Sequence, residues 1–169
     1  MKRQDKKQRQ KIKNMDALKW IKRAKNMCVF LVVAFLIYVF VVAQILNEDY
    51  AQVVANYPVI NIGFVIATAN LFIWYIIKKI IGYLEQYENI ELSRMVLIVI
   101  VIAQCFLLNY ISVILLIVGL KKFFNWNEFR LPQQFKVIKQ QSKLTSMLGV
   151  GAVLCLFIAL TFTISLSIL

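Results

Sequence analysis

No charged residue interrupts residues 27–46, 59–77, 95–120 or 148–169, and each of these four stretches is almost wholly apolar. About 20 such residues in a helix cover a hydrocarbon layer of about 30 Å. Inside that layer each backbone N–H and C=O must find its partner within the segment, and closed barrels need alternating strands that these runs do not offer. The expected fold is an all-α integral membrane protein, a four-transmembrane-helix bundle over 27–169 behind a basic segment, 1–26.

Charge supplies the orientation. The chain carries 20 Lys and Arg against 8 Asp and Glu, a formal net charge of +12. In a soluble protein that excess suggests nucleic acid, but here the basic residues flank apolar runs, so the expected partner is anionic membrane lipid and not nucleic acid. Residues 1–26 hold eleven Lys or Arg with only Asp5 and Asp16, which places that end in the cytoplasm of a plasma-membrane protein by the positive-inside rule. Within it Ile12, Met15, Leu18 and Ile21 recur every third residue among Lys13, Lys19, Lys22 and Arg23. That pattern predicts a basic amphipathic helix lying on the inner leaflet, with Trp20 at headgroup level. Val41, Val42 and Ala43 fit a signal-peptidase pattern, but the basic segment is too long for a usual leader, so an uncleaved first helix is expected.

Residues 47–58 carry Glu48, Asp49 and no basic residue, as an outer loop should. The second run returns to Trp74, Tyr75, Lys78 and Lys79, a belt-and-anchor pattern. Glu85, Glu88 and Glu91 follow at three-residue spacing, a negative stripe read as a solvated face; metal binding is set aside because the chain has no His and no Asp nearby.

The third run creates a conflict. If 95–120 crosses, the next stretch, 121–143, lies outside with six basic residues and one acid. The alternative is a re-entrant hairpin with Gln104 and Asn109 near its midpoint, yet Cys105, Phe106, Leu107 and Leu108 supply no Gly or Pro for a turn. Because the charge rule is a bias and 26 residues span easily with tilt, four true spans are expected. In that arrangement Lys136, Lys139 and Lys143 flank Phe135 and Ile138 on a short basic helix after Pro132, facing lipid headgroups or an acidic partner.

Catalytic materials are scarce. With no His, no phosphate loop and all acids in tails or connections, zinc, triad and imidazole-haem chemistry are excluded. No enzymatic activity and no cofactor are expected. Ion-coupled transport normally keeps an ionisable group within the membrane, and the intramembrane polar set is neutral: Gln44, Asn61, Thr68, Asn70, Gln104 and Asn109. Asn61 and Thr68, seven residues apart, share a face suited to helix contact or, alternatively, a pore lining. Cys28, Cys105 and Cys155 each stand alone in a different run and are read as buried, reduced and hydrophobic.

The clearest association signal is a four-residue repeat of small side chains, Gly151, Cys155, Ala159, Thr163 and Ser167, with a shorter version at Gly63 and Ala67. Such faces let helices approach closely in lipid. The expected function is a non-enzymatic accessory or scaffold subunit of a plasma-membrane assembly, partnered by a second copy or a larger membrane protein. The second reading is an oligomeric channel for small solutes built on Asn61, Thr68 and Asn70.

Overall fold

A computed structural model describes residues 2–124 and Gly151, with side chains from Met15 onward. Among the described residues there are five α-helices and no strand: α1 Lys2–Leu46, α2 Tyr50–Asn56, α3 Pro58–Glu85, α4 Ile90–Phe106 and α5 Tyr110–Phe123. Two of them contain segments long and apolar enough to cross a membrane, Met15–Leu46 and Pro58–Glu85.

Nothing in Lys2–Leu46 breaks a helix, since the segment has neither Gly nor Pro. The helix stops at Asn47, whose φ of 52° is left-handed, and the next amide, Glu48 N–H, donates back to Ala43 O at 3.2 Å. That is a Schellman closure, which satisfies carbonyls left over at a helix end. Tyr87 closes α3 and Leu108 closes α4 in the same way, with φ of 56° and 57° and amide donations from Glu88 to Tyr83 O and from Asn109 to Gln104 O. Pro58 stands at the start of α3, where its missing N–H is harmless.

Contacts fix the directions. Lys22 Nζ meets Glu85 at 2.6 Å, while the Phe35 ring packs edge-on against Phe64, 5.2 Å between centroids, so α3 runs antiparallel to α1. Phe124, directly after α5, lies under the Arg94 guanidinium at 5.7 Å, which makes α4 and α5 an antiparallel hairpin. α5 in turn runs antiparallel to α1, because Gly119 sits against Ala17 and Ile21 and Ser112 against Cys28. The main core joins all four: Ile21 and Ala24 of α1, Ile73, Ile77 and Leu84 of α3, Leu97 and Ile100 of α4, Leu116 and Leu120 of α5. A smaller cluster, Val39, Ala43, Val53 and Ile60, packs α2 against the far end of α1 and α3. Outward, large apolar side chains such as Phe30, Ile37, Phe40, Ile45, Phe72, Ile111 and Ile114 are exposed.

Three expectations are corrected. Residues 95–120 do not form one continuous helix: the chain turns at Leu107, Leu108 and Asn109. The separate helices have 17 and 14 residues, about 25 and 21 Å at the usual rise, each short of a hydrocarbon layer. The basic segment is not a separate helix but the first part of α1. Of the apolar face expected there, Leu18 and Ile21 are buried in the core and Met15 is exposed. Cys105 is exposed on α4, whereas Cys28 is buried. The basic positions Lys136, Lys139 and Lys143, the small-residue positions Cys155, Ala159, Thr163 and Ser167, and the fourth run apart from Gly151 lie outside the described residues.

Candidate functional site

Where the hairpin tip meets α1 and α3, a group of neutral polar side chains is sealed from solvent. Asn70 on α3, Gln104 on α4, Asn109 at the turn and Ser112 on α5 are all buried, and Cys28 of α1 completes the group. The hydrogen bonds follow one direction. Asn70 Nδ2 donates to its own helix, to Ile66 O at 3.0 Å, so Oδ1 faces the tip. There it accepts from Gln104 Nε2 at 3.2 Å and from Asn109 Nδ2 at 3.4 Å.

Asn109 performs a second task. Its Oδ1 accepts from Ser112 N–H at 3.2 Å, which caps α5, since a side-chain oxygen takes one of the amide donors that the first turn leaves over. Gln104 Nε2 also reaches Cys28 Sγ at 3.6 Å, and the thiol lies 3.5 Å from Ala24 O and 3.9 Å from Ser112 Oγ. Gln104 Oε1 is buried without a hydrogen-bond partner. A buried polar atom without a partner costs about 1–3 kcal/mol, whereas a satisfied interhelical bond in lipid contributes about 1 kcal/mol. The cluster therefore holds the tip in one register on α3 and α1. Its members carry amides, a hydroxyl and a thiol, so it exchanges hydrogen bonds without supplying a charge.

Of the intramembrane polar residues expected from sequence, Asn70, Gln104 and Asn109 come together and three do not, Gln44 being exposed on α1. Asn61 and Thr68 are exposed on α3, and the Thr68 hydroxyl donates to Phe64 O at 2.8 Å. Thr68 and Asn70 point to opposite sides of α3, so the Asn61, Thr68 and Asn70 region does not form a single lining within this chain. Ser112 and Cys28 were missed from sequence; the signal for Ser112 is its place three residues after Asn109, which caps α5.

Of the helix-association residues that are described, Gly63 and Ala67 face inward. A Cβ on Gly63 would run into the Phe35 ring of α1, and Ala67 is buried; this face packs within the chain. Gly151 is helical and buried. A second close crossing, missed from sequence, is at Gly119, where a Cβ would come within 2.7 Å of Ile21 Cγ1.

The opposite end of the molecule is basic. Of the expected headgroup residues, Lys13 lies on α1, Lys19 pairs with Asp16 at 2.9 Å, Lys22 pairs with Glu85, and Arg23 stacks over Trp20. Lys122 covers the same Trp20 ring, 5.1 Å from its centroid. Lys78 lies over Trp74 and Lys79 over Tyr75, and at the hairpin base the buried Arg94 pairs with Glu91. Trp and Tyr rings with cations over them suit the layer where water meets hydrocarbon. Among the described residues no three His, Cys, Asp or Glu side chains come together to hold a metal. Neither a protein-family model, nor a curated protein, nor a solved structure matches the chain.

Proposed function

We propose that this chain is a multi-pass plasma-membrane protein in which α1 and α3 cross the bilayer while α4 and α5 enter from the cytoplasmic side and return to it. In that membrane it acts as a non-enzymatic accessory or scaffold subunit. The observation that supports this reading is the position of the charges. Lys19, Lys22 and Arg23, then Lys78 and Lys79, then Lys121 and Lys122 all stand at one end, joined through Trp20, Glu85 and the Arg94–Phe124 contact. Glu48 and Asp49, with no basic residue nearby in sequence, stand at the other. A hairpin removes the conflict that a third crossing creates, because every basic flank then obeys the positive-inside rule.

A scaffold role accords with what the polar residues do: the buried ones join helices to each other, and the outer faces of α1, α3 and the hairpin are apolar and available to lipid or a neighbouring subunit. Anionic lipids at the basic end are the proposed first partner, with a second copy or a larger membrane protein alongside.

Single cysteines at Asp49, Glu88 and Lys122, in a background with Cys28, Cys105 and Cys155 replaced by Ala, test the topology with a membrane-impermeant maleimide. Asp49→Cys is expected to label in intact cells, and Glu88→Cys and Lys122→Cys only after lysis. Labelling of Lys122→Cys in intact cells would mean a third crossing and defeat the topology. Solute flux through liposomes holding the purified protein, above that of empty vesicles, would defeat the scaffold reading in favour of the channel.

A further inference from the structure

The outer side of the hairpin carries a groove of about 520 Å³ lined by Ile98, Val101, Ile102, Ile117, Leu120 and Lys121. Its two walls have the same construction. Positions 98, 101 and 102 on α4 and 117, 120 and 121 on α5 follow the i, i+3, i+4 spacing that puts three side chains on one helix face. Leu120, 4 % exposed, forms the floor, and Ile102 and Ile117, 50 % and 48 % exposed, form the rims. The apolar trough runs from mid-hairpin toward the basic end, where the Lys121 side chain closes it.

The charge at that mouth is open. Lys22 has Glu85 against it, and Lys78, Lys79 and Lys122 each have an aromatic ring. Among the described residues Lys121 has neither an acid nor a ring. The nearby acid, Glu91, is engaged by Arg94. A long apolar trough with a cation at its membrane-surface end is complementary to one molecule class, an amphiphile with an acyl chain and an anionic head. We infer that the hairpin groove is a binding site for a single anionic phospholipid of the cytoplasmic leaflet, one acyl chain lying between α4 and α5 and the phosphate on Lys121.

This inference rests on the proposed topology, and its test is separable from it. Full-length protein in a mild detergent is titrated with phosphatidylglycerol or phosphatidylcholine and bound lipid is counted by native mass spectrometry. Wild-type protein is expected to retain phosphatidylglycerol preferentially. Lys121→Gln is expected to weaken phosphatidylglycerol about fivefold, as loss of one membrane-surface cation implies, with Lys121→Arg restoring it. Ile117→Trp, which fills the trough, is expected to lose both lipids.

Glycerol phosphate, a headgroup without a chain, is expected not to compete; competition would mean a phosphate site and overturn the proposal. Equal retention of the two lipids, or phosphatidylglycerol binding unchanged in both Lys121→Gln and Ile117→Trp, would overturn it too. Either result leaves the cysteine-labelling outcome unaffected, so the groove and the topology can fail independently.

Discussion

Leu108 is the residue on which the hairpin depends and the one least suited to its backbone. Its φ of 57° puts a branched side chain in the left-handed region, at a cost of about 1–2 kcal/mol. Leu108→Gly is therefore expected to raise stability by about 1 kcal/mol, read as a shifted midpoint of denaturant unfolding in detergent; a lower midpoint would mean that the Leu side chain contributes more than its backbone costs. The turn was hidden in the sequence because Leu107 and Leu108 read as more apolar helix, while the capping Asn109 read as one more intramembrane amide. Asn70 and Gln104 are unequal in the cluster. Asn70→Leu removes the acceptor shared by Gln104 and Asn109 and is expected to destabilise by about 1–3 kcal/mol. Gln104→Met also removes the unpaired Oε1, so its cost is expected to be clearly smaller in the same unfolding measurement.

At the scale of elements, two glycines of similar sequence appearance diverge. A Cβ on Gly82 meets nothing within 4 Å, whereas one on Gly119 meets Ile21. Gly82→Ala is expected to stabilise α3 by up to about 1 kcal/mol through helix propensity. Gly119→Leu is expected to destabilise by about 1–3 kcal/mol through overpacking and to loosen α5 from α1, visible as faster proteolysis after Lys121 or Lys122. Equal effects of the two substitutions would remove the close crossing from the account. The end of α1 and the start of α3 were legible, because apolar runs, Pro58 and the Asn47 boundary all carry local signals, whereas α1 reaches back to Lys2 and α3 on to Glu85, beyond the expected 27–46 and 59–77. The packing of the basic half of α1 was not. Its three-residue apolar repeat is the same whether the face meets lipid or another helix, and only the presence of α5, with Gly119 opposite Ile21, decides between them.

For the whole molecule, charge carried the information that hydropathy lacked. Hydropathy joined 95–120 into one span, while the basic residues on both sides of it pointed to the hairpin. Replacing Lys78, Lys79, Lys121 and Lys122 by Gln is expected to produce a mixed orientation of the hairpin, with part of the Glu88→Cys population labelling in intact cells. Full protection would show that the eleven basic residues ahead of the first run set the orientation alone.

The hairpin sits on surfaces contributed by α1 and α3, and both precede it in the chain. During synthesis from the amino terminus, the receptor for the hairpin is thus complete before α4 emerges. Under the proposed topology the only polar stretch between the first two runs that must be moved across the bilayer is 47–58, which has no Lys or Arg. The hairpin then enters from the side on which it is made, carrying neutral amides that find Asn70 and Cys28 already waiting. The order of the genetic text is also a workable order of assembly.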